Sequence, residues 1–292
     1  MDDDDKTASS RKEYGRYMGI VCRVCMHHCN LESGQFGLCR ARKNEGGVVV
    51  CANYGSITSL ALDPIEKKPL RMFYPGKMIL SVGSYGCNLR CPFCQNHQIS
   101  MTGKDVADFT YISPADLAAK AAAAKSMGNI GVAFTYNEPL VGWEYVRDTA
   151  KLVRAEGMKN VLVTNGTAHL EVLEEILPYI DAMNIDLKGF CEEYYRELAG
   201  DLQAVKKFIV RAFAACHVEL TTLIVPGKND SDSDMVAEAR WIASLDSEIP
   251  LHITRFFPRY RMLDAQATEV KDVYRLAETA RKYLKNVFVG NC

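Results

Sequence analysis

The sequence has no run of about 18 consecutive apolar residues, so it lacks a stretch that could cross a membrane as a helix. Charge of one sign is not in excess either, because 35 Lys and Arg residues face 36 Asp and Glu residues and the formal net charge is -1. This balance argues against a protein that holds nucleic acid by bulk electrostatics. A GxxxxGK[ST] phosphate loop and the basic-then-apolar start of a secretion signal are also missing, and we expect a cytoplasmic protein.

Cysteine, in contrast, is abundant. The 292 residues include 11 cysteines, and seven of them fall into two tight groups. With 48% hydrophobic residues, a chain of this length can bury a large core without disulfides. Clustered cysteines in such a chain are more typical of metal binding or redox chemistry than of a disulfide framework.

Composition divides the chain into three predicted parts. Residues 1–16 are predicted to be a tag and flexible N-terminus, since the first six, MDDDDK, resemble a protease-cleavable tag. Residues 17–77 are predicted to form a cysteine-rich lobe and connector with too little apolar sequence for a core, so we expect a bound metal to organise them. Residues 78–292 carry the pattern of an α/β domain.

That pattern is one of apolar strands that alternate with amphipathic helices. Repeated βα units place parallel strands in one sheet with helices outside it. Six full units and a last strand predict a partial (βα)6 barrel, whose active site lies at the carboxyl ends of the strands. The predicted strands are 78–83, 130–135, 159–164, 181–187, 217–225, 250–255 and 287–290, and the predicted helices are 114–127, 139–156, 168–178, 192–198, 203–215, 232–245 and 267–284.

The loop after the first predicted barrel strand contains three cysteines, Cys87, Cys91 and Cys94. Their spacings of four and three residues suit one compact metal cluster. Three thiolates are one fewer than a 4Fe–4S cluster needs, which leaves one iron open to a substrate or cofactor. Zinc is the alternative, with His97 as the fourth ligand of a tetrahedral site.

This cysteine spacing resembles the signature of the radical S-adenosylmethionine (SAM) superfamily. The resemblance implies that the three cysteines bind a 4Fe–4S cluster, whose fourth iron is chelated by the amino and carboxylate groups of SAM. It also implies that one electron cleaves the S–C5′ bond, giving methionine and a 5′-deoxyadenosyl radical that abstracts hydrogen from a substrate. One open iron would then both position SAM and deliver the electron. Phe93 is expected near the adenine.

Polar motifs follow the next three predicted strands, and the same resemblance makes them candidates for the SAM pocket. Residues 136–139 (YNEP) stand where the family often has GGEP, and they keep its carboxylate as Glu138. Asn165 lies in a TNG motif and Lys188 in a DLK motif. Any one of these motifs could be an ordinary turn. Because all lie in phase at carboxyl ends of strands, we predict that the SAM pocket includes Phe93, Glu138, Asn165 and Lys188.

Within the superfamily, the motifs resemble the activating enzymes of glycyl-radical enzymes, such as pyruvate formate-lyase activating enzyme. Two departures are that Val163 replaces an Asp before the TNG motif and that no His follows Pro258. The whole chain is more similar to the AmmeMemoRadiSam system radical SAM enzymes, through residues 34–39 (GQFGLC), 63–70 (DPIEKKPL) and 94–96 (CQN).

The AmmeMemoRadiSam resemblance implies possible partners. It suggests Memo-type and AMMECR-type proteins by analogy, and a radical SAM enzyme also implies a flavodoxin- or ferredoxin-type electron donor. Neither a membrane nor a nucleic acid is expected as a partner. The charged run at residues 66–68 is predicted to be a solvated face.

The second cysteine group, Cys22, Cys25, Cys29 and Cys39, is a complete set of four thiolates. It could be a closed zinc site that folds the lobe, or an auxiliary 4Fe–4S cluster that carries electrons or anchors substrate. The lack of an open coordination position favours a structural metal. A catalytic CxxC disulfide is disfavoured because two thiols would be left over.

The sequence therefore predicts a radical SAM enzyme that cleaves SAM reductively at a 4Fe–4S cluster and abstracts hydrogen from a substrate. It indicates no catalytic residue beyond the cofactor sites. One alternative is an activating enzyme that makes a glycyl radical on a partner protein. A second alternative is a non-enzymatic zinc-binding interaction module that uses both cysteine groups.

Overall fold

The computed structural model describes residues 19–292, so the predicted tag and terminus at residues 1–16 lie outside the described residues. Numbered in chain order, the strands are β1 Ile20–Val21, β2 Asn30–Leu31, β3 Arg42–Glu45, β4 Val48–Cys51, β5 Ser56–Ile57, β6 Ser59–Pro64, β7 Met78–Gly83, β8 Thr110–Tyr111, β9 Asn129–Phe134, β10 Lys159–Thr164, β11 Ala182–Asp186, β12 His217–Ile224, β13 Leu251–Arg255 and β14 Val287–Gly290. The α-helices are α1 His97–Ser100, α2 Pro114–Ala123, α3 Trp143–Ala155, α4 Leu170–Ile176, α5 Glu192–Glu197, α6 Leu202–Phe213, α7 Asp232–Leu245 and α8 Val270–Arg281.

Eight of the strands form one sheet in the order β14-β13-β12-β11-β10-β9-β7-β6. The seven strands from β14 to β7 in this order run parallel to one another. Helices connect each parallel strand to the next along the chain. This topology confirms the predicted partial (βα)6 barrel, and β7, β10 and β14 have the predicted bounds.

Strand β6 departs from the predicted organisation. The sequence assigns residues 59–64 to the lobe and connector, whereas β6 pairs antiparallel with β7 from Ser59 opposite Gly83 to Pro64 opposite Met78. It therefore extends the barrel sheet at one edge. The rest of the lobe is made of small antiparallel pairs, β1 with β2 and β3 with β4, while β5 pairs with β8.

Strand side chains alternate between the helices and the barrel interior, as the pleat of a sheet requires. On β12, Leu220 and Ile224 belong to the large core under the helices, and Thr222 donates a hydrogen bond to Glu238 of α7. The positions between them, including Glu219, therefore face the barrel interior. The carboxyl ends of the same strands open toward the three-cysteine loop.

The amino end of the barrel interior is filled by the segment between β6 and β7. Ile65 and Leu70 of this segment are fully buried against Ile79, Ala133 and Val161 from three barrel strands. Such burial of branched side chains is a typical hydrophobic contribution to stability. The connector thus closes one end of the barrel and leaves the other for a site.

Glu219 ties this connector to the sheet. Its buried carboxylate accepts hydrogen bonds from the backbone N–H groups of Arg71 (2.9 Å) and Met72 (2.8 Å). It also accepts from Nε2 of His217 (3.0 Å) and of His252 (2.6 Å). Burial by itself raises the pKa of Glu219, but these four hydrogen bonds outweigh it and lower the pKa to about 2.

The prediction that residues 66–68 form a solvated face is wrong for Lys68. This side chain is only 3% exposed, its Nζ lies 2.7 Å from Oδ2 of Asp63, and it sits 5.0 Å from the ring centre of Tyr136. Tyr136 also donates a 2.8 Å hydrogen bond to Asp63. The ion pair and the aromatic ring replace the water that a buried ammonium would lose.

Within residues 19–292, no helix combines the length and the apolar character that a membrane crossing needs.

Candidate active site

The three-thiol loop, residues 84–96 with Cys87, Cys91 and Cys94, leaves the barrel at the carboxyl end of β7. Cys91 is buried, and Cys87 and Cys94 are half-buried. Gly86 has a φ of +91°, and a Cβ there would lie 2.5 Å from the carbonyl oxygen of Cys39. Glycine at this position therefore allows the loop to contact the N-terminal lobe closely.

Polar groups contact two of the three sulfur atoms. The backbone N–H of Leu89 donates to Cys87 Sγ at 3.4 Å, and Asn165 Nδ2 lies 3.8 Å from the same sulfur. Ser100 Oγ lies 3.1 Å from Cys94 Sγ. Hydrogen bonds to ligand sulfur are a main way in which proteins orient and tune iron–sulfur centres.

The three-thiol loop is poor in positive charge. Burial raises the pKa of Cys87 well above its ordinary value, and the nearby Glu138 adds to this effect. Burial also raises the pKa of Cys91 to about 11. Thiols with raised pKa values are neutral at pH 7 and become thiolates when a metal supplies positive charge. The donor set is therefore chemically suited to a bound cationic centre.

His97, the alternative zinc ligand, is engaged elsewhere. Its Nδ1 lies 3.2 Å from the carbonyl oxygen of Cys94, and its ring stacks on Tyr260 with 4.6 Å between the ring centres. Among residues 19–292, no three His, Cys, Asp or Glu side chains stand in the arrangement of a single-ion site. The donors that the loop presents are three thiols, which is the ligand type of an iron–sulfur cluster.

Glu138 lies buried between the ends of β9 and β10. Its carboxylate accepts hydrogen bonds from the N–H of Leu140 (3.1 Å), the hydroxyl of Thr164 (2.7 Å) and the N–H of Asn165 (2.7 Å). Burial raises the pKa of Glu138 to about 7 despite these donors. Glu138 thus holds together the two loops that were predicted to line the SAM pocket.

Asn165 connects Glu138 to the three-thiol loop. Its Nδ2 donates to Oδ1 of Asn88 at 2.9 Å, and its Oδ1 accepts from the hydroxyl of Thr167 at 2.6 Å. Asn88 in turn donates to Thr167 Oγ1 at 2.8 Å. A closed network of amides and a hydroxyl therefore lies against Cys87.

Lys188 and Phe93 lie on the side of the loop nearer Cys91. Lys188 Nζ forms a 2.7 Å ion pair with Asp186 Oδ2. Burial lowers the pKa of Lys188, but Asp186 and Cys91 outweigh it and raise the pKa overall. Phe93 is buried in an apolar cluster with Cys91 and meets Phe256 edge-on, with 6.3 Å between the ring centres.

The structure thus brings Glu138, Asn165 and Cys87 together and sets Lys188 beside Cys91. Sequence reasoning missed Asn88, Thr167 and Asn137. Asn137 donates to the carbonyl oxygen of Gly86 (3.0 Å) and accepts from the N–H of Ser84 (3.0 Å), so it clamps the start of the three-thiol loop. The available signal was that an Asn follows or enters each of the first three carboxyl-end loops, at positions 88, 137 and 165.

The four-thiol group, Cys22, Cys25, Cys29 and Cys39, lies on the lobe side of the same loop. All four are free thiols that line one cavity, together with His27, His28 and Arg42. His27 Nε2 donates to the carbonyl oxygen of Asn88 at 2.7 Å, which links the group to the three-thiol loop. The two cysteine groups are therefore neighbours in the fold.

A partial barrel of parallel strands with three thiols at its carboxyl end defines an α/β protein of a metal-dependent type. The sequence profile described as the radical SAM superfamily matches residues 81–242, which is more than half of the chain. The chain belongs to the radical SAM superfamily and is an enzyme of that class. This excludes the alternative of a non-enzymatic zinc-binding module.

Two relatives and one solved structure illustrate the similarity. The uncharacterized protein MJ0808 of Methanocaldococcus jannaschii is 37% identical over 275 residues, which cover 93% of this chain and 81% of the relative. Pyruvate formate-lyase 1-activating enzyme of Escherichia coli K12 is 28% identical over 156 residues, covering 50% and 61%. Streptococcus suis SuiB bound to S-adenosylmethionine has a TM-score of 0.58 at 15% identity, covering 73% of this chain and 52% of SuiB, and supports the fold alone.

Proposed function

We propose that Cys87, Cys91 and Cys94 hold a 4Fe–4S cluster and that SAM binds at its open iron. The observation that carries this proposal is the set of three thiols at the carboxyl end of β7, two of them in contact with polar groups. When bound, the cluster would supply one electron that cleaves SAM to methionine and a 5′-deoxyadenosyl radical, which abstracts hydrogen from the substrate. Superfamily membership implies this cofactor pair.

The chain's own residues have separate proposed roles. Phe93 packs against the adenine, and Lys188 balances the charge of the thiolate at Cys91. Glu138 fixes the loops after β9 and β10, so that their backbone groups face the amino group of SAM. Asn165 donates to Cys87 Sγ and orients that ligand.

The barrel interior has the character that radical chemistry requires. The connector closes its amino end with Ile65 and Leu70, and Glu219 holds the connector in place. Exclusion of water from this side limits quenching of a reactive radical. We propose that the substrate enters from the carboxyl end, beside the three-thiol loop.

We also propose the finer assignments that follow from the resemblance. The chain is placed in the AmmeMemoRadiSam branch, with a flavodoxin- or ferredoxin-type electron donor and with Memo-type or AMMECR-type proteins as partners. The lobe and connector span residues 17–77 and the barrel residues 78–292, with β6 contributed to the barrel sheet by the former. Free thiols and an oxygen-sensitive cluster suit a reducing cytoplasm.

The second candidate is activation of a glycyl-radical enzyme. It is favoured by a 26% identical relative named as a putative glycyl-radical enzyme activating enzyme, which covers 74% of this chain. A glycine-centred doublet in electron paramagnetic resonance of a mixture with the target protein would support this candidate. A small-molecule product of hydrogen abstraction would count against it.

Substitution Cys91→Ala tests the main proposal. Under dithionite and without oxygen, wild type should form 5′-deoxyadenosine from SAM, and the variant should form none while staying folded by circular dichroism. The matched control is Cys216→Ala, which removes a half-buried thiol at the start of β12, far along the chain from the loop. A Cys91→Ala protein that still cleaves SAM at the control rate would overturn the assignment.

A further inference from the structure

The four-thiol group surrounds a space rather than a point. The cavity that Cys22, Cys25, Cys29 and Cys39 line contains about 290 Å³ not filled by protein atoms. Three of these thiols are buried and Cys29 is half-buried. The strands that present them, β1 and β2, have two residues each, so the local backbone pairing is too short to be stable by itself. A ligand in the cavity would therefore contribute directly to folding of the lobe.

Backbone and a buried cation form the walls of this cavity. A Cβ at Gly37 would lie 3.6 Å from Cys29 Sγ and 3.8 Å from Cys39 Sγ, so bare backbone covers these two sulfurs. The buried guanidinium of Arg42 lies beside Cys22 and is held by a 2.7 Å ion pair with Glu144 of α3. A positive charge and close backbone suit a centre that carries net negative charge, as a metal bound by four thiolates does.

The cavity lies directly against the three-thiol loop. The Asn88 side chain contacts the thiol of Cys25, and the Asn88 backbone follows Cys87. The carbonyl oxygen of Asn88 accepts from His27, and the N–H of Met26 bonds to the carbonyl oxygen of Thr167 at 3.4 Å. One amide side chain and one peptide step therefore separate a thiol of each group.

We propose that the four-thiol group binds an iron–sulfur cluster and that this cluster passes one electron to the three-thiol site. A zinc ion with Zn–S bonds of about 2.3 Å would draw its sulfurs to about 3.8 Å from one another and leave no internal space. Zinc also has no redox chemistry, so the contact through Asn88 would serve no purpose for it. A cluster fits both the space and the contact.

The electron count is simple. One electron from a ferredoxin- or flavodoxin-class reductant reduces the four-thiol cluster, and the cluster is reoxidised when that electron moves to the three-thiol site. No bond forms or breaks at the four-thiol group. This second half of the proposal rests on the proposed function, whereas the metal assignment does not.

Metal analysis tests the first half without any activity. The triple variant Cys87→Ala, Cys91→Ala, Cys94→Ala keeps the lobe intact, and after anaerobic reconstitution it should hold about four irons with matching sulfide. Adding Cys29→Ser should remove them, whereas adding Cys51→Ser should not, because a serine there keeps a hydroxyl beside Asn53. A triple variant that holds zinc, or no metal, overturns the proposal.

A limited-turnover experiment tests the second half. Protein with both clusters reduced, then freed of reductant and mixed with SAM, should give up to two 5′-deoxyadenosine per chain. The Cys29→Ser variant should give one, and Cys51→Ser two. Equal yields of one per chain would refute the electron transfer alone, whereas no product from any of these proteins would refute the proposed function.

Discussion

The two ends of the barrel bury carboxylates equally well but shift their pKa values in opposite directions. At the amino end, hydrogen bonds that include two histidines outweigh burial and lower the pKa of Glu219 to about 2. At the carboxyl end, burial raises the pKa of Glu138 to about 7 although three donors surround it. The chain balances its own charge at the closed end.

The carboxyl end is instead short of positive charge. Burial raises the pKa of Cys91 to about 11 and that of Cys87 well above its ordinary value. Lys188 is the cation next to these thiols, and it is already paired with Asp186. A metal cluster and a sulfonium ligand would supply the missing charge. The comparison therefore separates a structural end, where substitutions should alter stability, from a functional end, where they should alter SAM chemistry.

The largest expected effect is on stability, from Glu219→Gln. The lowered pKa corresponds to about 3 kcal/mol of folding free energy at pH 7. Because the folded-state pKa lies below the unfolded value of 4.5, this contribution is complete above about pH 5 and is lost as the pH falls toward 2. Urea unfolding of variant and wild type should show a difference that shrinks in this range.

The exposed Glu171 on α4 provides the control for that measurement. Glu171→Gln should change the free energy of unfolding by a few tenths of a kcal/mol at most. The rate of SAM cleavage per folded molecule should be unchanged by Glu219→Gln. A selective loss of cleavage with full stability would break the distinction between the two ends.

The next largest effect is expected for Glu138→Gln. We expect SAM cleavage to fall by about 10–100-fold, because an amide cannot accept from all three donors that fix the two loops. Since the folded-state pKa of Glu138 lies above its unfolded value of 4.5, the carboxylate costs stability increasingly as the pH rises from about 4.5 to 7. The variant should therefore gain stability relative to wild type across that range.

Both properties of Glu138→Gln can be measured on one preparation, by 5′-deoxyadenosine formation and by urea unfolding at two pH values. Wild-type cleavage combined with a large loss of stability would show that Glu138 is only a structural residue.

A smaller effect, about tenfold on SAM cleavage, is expected for Asn165→Ala. Loss of a donor near Cys87 Sγ should also make the reduction potential of the three-thiol site more negative. A redox titration followed by electron paramagnetic resonance measures this shift. Asn286→Ala is the control, because that amide bonds to exposed Glu248. An unchanged potential in Asn165→Ala would mean that the contact has no influence on the cluster.

Sequence was informative where the signal is local. The alternation of apolar strands and amphipathic helices predicted the barrel, and the spacing of Cys87, Cys91 and Cys94 predicted the superfamily that the sequence profile confirmed. Strand β6 was assigned to the connector because its pairing with β7 depends on a partner fourteen or more residues away. A strand's own sequence does not identify its partner.

Buried polar contacts were harder to predict for the same reason. Lys68 belongs to a charged run that predicts a solvated face, and its burial depends on Asp63 and on Tyr136 from another strand end. Asn88 and Thr167 acquire their significance only when two loops meet. Such pairings between distant segments are properties of the packed fold, whereas a motif with fixed spacing is visible in the chain itself.

The most direct test of the central claim is electron–nuclear double resonance on the reduced protein with SAM labelled at its amino nitrogen or carboxylate oxygen. If the three thiols leave one iron open, the labelled atoms should couple to the cluster spin in wild type, and the coupling should vanish in Cys91→Ala. A cluster signal that shows no coupling to either label, or a protein that contains zinc and no iron at these thiols, would contradict the account.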